Sequence, residues 1–162
     1  MRSLRWSGHH GAQAQLVDGT MDESRRFVIL HHVVPGTFER PSHWDVMFEN
    51  GDELQTWALN VQPAHQVVIQ ATALPEHRKK YLDYEGEISH DRGVVRRWDS
   101  GQIHVVESSS EKICVRIVGR RLFGKVELVR DLHDAWTFVY SEESSDKHPQ
   151  KNANEFPSNN SE

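Results

Sequence analysis

Apolar residues along this chain occur in short runs or alternate with other residues, and helical spacing is almost absent. Residues 27–30 form a short apolar run, and residues 43–48 alternate before an Asn50-Gly51 pair. Alternation with a period of two places one face of a strand in a core. Asn-Gly favours a tight turn, here into a further strand over residues 54–59. The pattern predicts a buried strand followed by a β-hairpin.

The second half of the chain continues with short predicted strands and frequent turn residues. A strand begins at residues 67–69, and residues 75–81 are polar and predict a loop or a single helical turn. Asp99 and Gly101 fall between two predicted strands and indicate a turn. The later strands are predicted over residues 93–98, 102–107, 112–118, 125–130 and 136–140. Such spacing indicates a mostly β fold, either an antiparallel barrel or a sandwich.

Length and composition indicate one folded domain with polar ends. The chain has 162 residues, of which 36% are hydrophobic, enough for a single core. No apolar run approaches the roughly 20 residues needed to cross a bilayer, so no membrane partner is expected. We expect a flexible N-terminal segment (1–24), a barrel domain (25–140) and a disordered acidic, polar tail (141–162). The single cysteine, Cys114, fits a reducing compartment and predicts a cytoplasmic location.

The net charge of −5 is concentrated outside the predicted domain. Residues 141–162 carry −3 and residues 1–24 carry −1, which leaves residues 25–140 nearly neutral. Several basic clusters remain within that domain, at residues 78–80, 96–97 and 120–121 and at Arg92. Such clusters either contact phosphates or form an ordinary solvated surface. The overall negative charge therefore does not exclude a nucleic-acid partner.

His43 and Asp45 are the first candidate for a site. Side chains two residues apart in a strand share a face, so this imidazole and carboxylate point to one place, which suits a divalent metal. A third donor is available from His31 or His32, because the loop over residues 35–42 can bring the two segments together. A His-x-Asp triplet is also common by chance, so its spacing alone does not assign a metal site.

A longer series of motifs runs through the same region. In chain order these are Arg26-Phe27-Val28-Ile29 with His32, His43-Trp44-Asp45, Gly51, Trp57-Ala58, His77 with Tyr81, Tyr84-Glu85-Gly86, and Trp98-Asp99-Ser100-Gly101. Their combination resembles the 3′-phosphoesterase module at the N-terminus of bacterial ATP-dependent DNA ligase D, a multifunctional enzyme of end joining. The likeness spans about residues 25–140. It implies a compact β-barrel. Together with the strand pattern and the polar ends, we expect a single-domain antiparallel β-barrel with little helix and with disordered N- and C-terminal tails.

The resemblance also implies a metal site. It assigns the ligands to His32, His43 and Asp45, with Mn²⁺ as the expected ion and Zn²⁺ or Co²⁺ as alternatives. His32 is preferred to His31 because it takes the position of the histidine that ends the family's strand. Adjacent residues of a strand point to opposite faces, so only one of the two histidines should be a metal ligand.

Next to the metal, the resemblance implies a phosphate site at His77 and Tyr81. His77 would donate a hydrogen bond to a phosphate oxygen or protonate the leaving oxygen. Two arginines of the family are missing, because Met47 stands two residues after Asp45 and the second position falls near Ile69. Methionine cannot form a charge-assisted bond to phosphate. The cations that could contact the phosphate or nucleic acid here are Arg40, Arg78, Arg92, Arg96 and Arg97.

Three hypotheses about function follow. The first is a metal-dependent 3′-phosphoesterase that acts on DNA or RNA-tailed 3′ ends in repair and end joining. The second is a catalytically degenerate module of the same fold that binds nucleic-acid ends or a repair partner. The third is a structural barrel with scattered histidines. In the first two cases the expected partners are nucleic-acid 3′ ends and, in trans, ligase or polymerase repair proteins.

Overall fold

The computed structural model of the protein describes residues 15–17, 20–22, 24–36 and 40–144. Its single helical element there is a four-residue 3₁₀ turn, Lys79–Leu82. No helix among these residues is long and apolar enough to cross a membrane. The strands are β1 (Gln15–Val17), β2 (Thr20–Asp22), β3 (Ser24–Val33), β4 (His43–Asn50), β5 (Glu53–Leu59), β6 (Val68–Arg78), β7 (Gly86–Glu87), β8 (Val94–Ser108), β9 (Lys112–Gly119), β10 (Phe123–Arg130) and β11 (Trp136–Glu142).

Eight of these strands form one closed antiparallel barrel. Neighbours follow the order β3-β4-β5-β6-β11-β10-β9-β8, and β8 pairs back onto β3. Closure pairs the strands at both ends of the sheet, so neither remains an open edge. The short β7 pairs with the start of β8, while β1 and β2 pair as a separate hairpin. The mostly β barrel predicted from the sequence is confirmed.

Apolar side chains are buried on both faces of the barrel wall. A large interior cluster takes residues from all eight barrel strands, including Trp57 and Trp136, which contact edge to face. A smaller cluster lies on the outer face, and we call it the outer cluster. Its members are Val28, Leu30, Met47, Leu54, Leu82 and Val95, covered by Tyr81, Tyr84 and Ile88. Residues 46–48 of β4 are therefore buried on both faces, where alternation predicted one.

The hairpin predicted between β4 and β5 is present. Asn50 is the last residue of β4, and the turn itself is Gly51 and Asp52. The φ of Gly51 is 61°, in the left-handed region that favours glycine. Positive φ at the first turn residue matches the twist of the flanking strands, which explains the short connection.

Strand β6 extends further than the sequence predicts. The polar residues 75–81 were expected as a loop or helical turn, but β6 continues to Arg78 before the 3₁₀ turn begins. His77 pairs with Leu54 of β5, next to a β-bulge in β6, where two residues lie opposite one residue of β5. Cross-strand pairing holds this segment extended, and its local composition gives no sign of that pairing. His77 is consequently held by a strand.

The turn predicted at Asp99 and Gly101 is wrong, because β8 is one continuous strand of 15 residues. Gly101 pairs with Phe27 on one side and Gly119 on the other. A Cβ on Gly101 would lie 2.1 Å from the Val118 carbonyl oxygen. Glycine is needed here for close approach of neighbouring backbone, not for chain reversal.

Asp99 instead organises the turn between β9 and β10. Its carboxylate is 2% exposed. Oδ1 accepts the backbone N–H groups of Arg120 and Arg121 at 2.8 and 3.1 Å, and Oδ2 accepts that of Leu122 at 2.9 Å. A buried carboxylate thus satisfies three donors that the turn leaves without a backbone partner.

The barrel continues slightly past its predicted end at residue 140. β11 runs to Glu142, and the N–H of Glu143 donates to the Phe123 carbonyl at 2.9 Å. The disorder predicted for the rest of the tail, residues 145–162, lies outside the described residues, as does the flexibility predicted for residues 1–14.

Replacing Asp99 by alanine should destabilise the barrel by about 3 kcal/mol, because three N–H groups lose a charged acceptor inside the protein. Urea unfolding followed by circular dichroism measures this change. Asp83→Ala is the matched control, since Asp83 forms an exposed ion pair with Arg26 and should contribute little. Equal midpoints for the two variants would contradict the structural role of Asp99.

Candidate metal and phosphate site

The pairing of β3 with β4 brings three predicted ligands together on the outer face of the barrel. His32 lies directly opposite His43, and Leu30 lies opposite Asp45. Val46 points into the barrel, so the alternate residues His43 and Asp45 point outward. One ligand atom from each of His32, His43 and Asp45 lies within 4.8 Å of the other two.

Backbone carbonyls fix which nitrogen of each imidazole faces this cluster. Nδ1 of His43 lies 2.9 Å from the Pro41 carbonyl oxygen, and Nε2 of His32 lies 2.7 Å from that of Arg92. A carbonyl oxygen only accepts, so each of these nitrogens must donate its N–H. The remaining nitrogens, Nε2 of His43 and Nδ1 of His32, carry the lone pairs of the neutral rings. Metal-binding histidines in proteins are oriented in this way.

The Asp45 carboxylate faces these two nitrogens. It is 4% exposed, with Oδ1 3.1 Å from His43 Nε2 and Oδ2 3.7 Å from His32 Nδ1. Oδ1 is fully buried and accepts no well-directed hydrogen bond. A lone pair on nitrogen and a carboxylate oxygen repel at 3.1 Å unless a proton or a cation lies between them. Two imidazoles and one carboxylate are donors that suit Mn²⁺, Zn²⁺ or Co²⁺.

The electrostatics of the cluster favour charge separation. Burial raises the pKa of the Asp45 carboxyl, but its close contacts with the His32 and His43 rings and their charges outweigh burial and leave that pKa below its ordinary value. The close contact with Asp45 raises the pKa of His43 in spite of burial. Asp45 therefore stays an anion, ready to hold either an imidazolium or a metal ion.

His31, the neighbour of His32, points to the opposite face of β3. Its ring stacks on Trp44 with centroids 4.4 Å apart and planes 7° from parallel. Burial, followed by the charges of His43, Arg96 and His32, lowers the pKa of His31. Only one member of the histidine pair therefore reaches the cluster, as strand geometry requires.

A cleft of about 290 Å³ opens beside the cluster and contains His77. Nδ1 of His77 lies 2.8 Å from the Pro75 carbonyl oxygen, so Nδ1 donates and Nε2 is left for other contacts. Tyr81 does not line this cleft. Its ring meets that of His77 edge to face at 5.8 Å and packs against the outer cluster. Tyr81 thus supports the His77 ring, and its predicted contact with phosphate stays a prediction.

The five predicted arginines divide into two groups. Arg40 and Arg92 line the cleft. The Arg92 guanidinium also donates to the Ser89 carbonyl at 2.8 Å and to its hydroxyl at 3.2 Å, which ties it to the loop before β8. Arg78, Arg96 and Arg97 are exposed and lie outside the lining of the cleft.

Sequence reasoning missed the carbonyl groups that orient the histidines, although the chain carries a signal for two of them. Pro41 precedes His43 by two residues, and Pro75 precedes His77 by two residues. In both cases the proline carbonyl accepts from Nδ1 of the histidine. In this cleft the proline carbonyl thus fixes the tautomer of both histidines. The same spacing ends at His65 without this contact, because Nδ1 of His65 accepts a backbone N–H at 2.9 Å, so the spacing alone does not predict it.

Mn²⁺ at about 100 times its dissociation constant should raise the melting temperature of the purified protein by roughly 8 °C. The ion binds the folded arrangement of His32, His43 and Asp45 and has no equivalent site in the unfolded chain. His43→Ala should abolish this shift in a thermal melt, whereas His133→Ala, an exposed histidine in the β10–β11 connection, should retain it. A full shift in the His43 variant would show that the ion binds elsewhere.

Comparison with known proteins identifies the family of the chain. The family model of the DNA ligase D 3′-phosphoesterase domain matches residues 37–130, more than half of the chain. The match includes His43, Asp45 and His77, while His32 precedes it. Among curated proteins, none matches the chain significantly. By the extent of its match, the chain belongs to the family of the DNA ligase D 3′-phosphoesterase domain.

Proposed function

We propose that this protein is a metal-dependent phosphoesterase that cleaves phosphate esters at DNA or RNA-tailed 3′ ends during repair and end joining. The convergence of His32, His43 and Asp45 within 4.8 Å carries this proposal. The same cleft holds His77 and two arginines, so metal-binding and phosphate-binding groups share one surface. Family membership supports the reaction class.

Each residue of the cleft has a distinct part in this proposal. A divalent ion held by His32, His43 and Asp45, with Mn²⁺ expected before Zn²⁺ or Co²⁺, would supply positive charge that polarises the phosphate ester. His77 presents Nε2 because the Pro75 carbonyl occupies Nδ1. In its protonated form that nitrogen donates to a phosphate oxygen or gives its proton to the leaving oxygen.

Arg40 and Arg92 supply the cations that grip the remaining phosphate oxygens. Both line the cleft from loops, whereas the family arginines that are missing here would come from strands. Guanidinium groups form charge-assisted, often bidentate bonds to phosphate, so two of them compensate for the loss at Met47 and near Ile69. Ligase and polymerase repair proteins are the proposed partners, and the cytoplasmic location stays a prediction.

Wild-type protein with Mn²⁺ should release inorganic phosphate from an oligonucleotide that ends in a 3′-phosphate. His77→Ala should lower kcat by about 100-fold or more, because it removes the proton donor, while leaving the Mn²⁺-induced thermal shift intact. His43→Ala and a chelator should each abolish turnover.

His133→Ala serves as the control in the same assay and should behave as wild type. Unchanged turnover in His77→Ala would remove His77 from the proposal. Absence of turnover by wild-type protein on both 3′-phosphate and 3′-ribonucleotide ends, with each of Mn²⁺, Zn²⁺ and Co²⁺, would defeat the proposed reaction itself.

A second candidate function, a module that binds nucleic-acid ends without turnover, is favoured by the position of Met47. Met47 is 1% exposed and packs in the outer cluster, although it follows Asp45 on the same face of β4. Ile69 points into the barrel interior. Neither position presents a side chain to the phosphate, so Arg40 and Arg92 are the only arginines that line the described cleft to bind it.

Met47→Arg separates the two candidates. We expect this variant to be destabilised by about 3 kcal/mol or more and to gain no activity, because the guanidinium enters an apolar cluster without a partner. Met47→Leu is the matched control and should cost less than about 1.5 kcal/mol. If Met47→Arg folds stably and gains turnover that wild type lacks, the native protein is the degenerate binding module.

A further inference from the structure

A second pocket adjoins the cleft on the outer face of β4, β5 and β6. It has a volume of about 250 Å³ and shares Arg40 and His43 with the cleft, so the two lie side by side. A water molecule takes roughly 30 Å³ in the liquid, so this pocket holds a group of many atoms. A substrate whose phosphate lies in the cleft would extend its next group into this pocket.

The floor of this pocket is set by the register of three strands. Asp45 pairs with Ala58, and Ala58 pairs with Thr72. Trp57 and Leu59 belong to the interior cluster, so Ala58 points outward between the metal-binding strand and β6. A methyl group at this central position leaves a depression that any larger side chain would fill.

The walls of the pocket differ in chemistry from the cleft. Its polar side chains beyond Arg40 and His43 are two carboxamides and a hydroxyl, from Asn60, Gln70 and Thr72. These three groups carry no charge and make no side-chain hydrogen bond within the part of the chain that the structure describes, so they are available to a ligand. Carboxamides both donate and accept, as the edge of a nucleobase requires.

We propose that this pocket binds the nucleoside attached to the phosphate that occupies the cleft. The inference rests on the proposed function for the identity of the substrate. Cationic groups meet the anionic phosphate in the cleft, and neutral polar groups over the apolar floor meet the uncharged sugar and base next to it. Asn60, Gln70 and Thr72 are then specificity-determining residues that contact the nucleoside, and Ala58 provides the space it needs.

NMR titration of the protein in EDTA tests this proposal without turnover of the ligand. Wild type should bind a deoxynucleoside 3′-phosphate about tenfold more tightly than inorganic phosphate. Ala58→Leu should remove that advantage while retaining affinity for phosphate, and Gln70→Ala should reduce it. Ala135→Leu makes the same change at an exposed site in the β10–β11 connection and should retain the full advantage.

Thermal melts with Mn²⁺ show whether each variant keeps its fold and its metal site. If Ala58→Leu unfolds, Gln70→Ala still tests the pocket, because Gln70 is exposed and its truncation should leave the fold intact. Equal affinity of wild type for the nucleotide and for phosphate would overturn the proposal, as would an undiminished advantage in both pocket variants. If the pocket variants lose the preference for nucleotide over phosphate but wild type does not turn over oligonucleotides, nucleoside binding in the pocket is supported and the proposed phosphoesterase activity is defeated. If wild type turns over oligonucleotides and both variants keep the full preference for nucleotide, the phosphoesterase activity is supported and nucleoside binding in this pocket is defeated.

Discussion

The pairing of β3 with β4 is the constraint on which the rest of the site depends. His32 lies opposite His43 and Leu30 lies opposite Asp45, so two paired strands supply all three ligand side chains. A slip of one residue would turn His31 to the outer face and bury His32 against Trp44. Closure of the barrel through β8 and the buried interior cluster hold the register, and core packing thereby positions the site.

The outer face of β4 serves two purposes that compete for space. Its first residues, His43 and Asp45, face the cleft, whereas Met47 packs in the outer cluster beneath Tyr81 and Tyr84. An apolar residue at position 47 strengthens this small core and removes a cation from the phosphate surface. The phosphate-binding groups consequently come from flanking segments, through Arg40 and Arg92 in loops and His77 at the end of β6.

Much of this arrangement could be predicted from the sequence, because period-two alternation and turn residues locate most strands. Strand parity predicts that only one of His31 and His32 is a ligand, and the family resemblance indicates His32. The local predictions that differ from the structure share one cause. Residues 75–78 are extended through pairing with β5, and Gly101 lies inside a strand because a neighbouring backbone approaches it. Both depend on distant partners that local composition does not encode. The carbonyl acceptors at Pro41 and Pro75 belong to the same class, because the same Pro-x-His spacing at His65 does not produce this contact.

Anomalous diffraction from crystals grown with Mn²⁺ locates the bound ion without reference to activity. We expect one strong peak among His32 Nδ1, His43 Nε2 and the Asp45 carboxylate, with the other ring nitrogen of each histidine still bonded to its backbone carbonyl. A peak at another site, a peak bound by His31, or no peak at saturating Mn²⁺ would contradict this metal site.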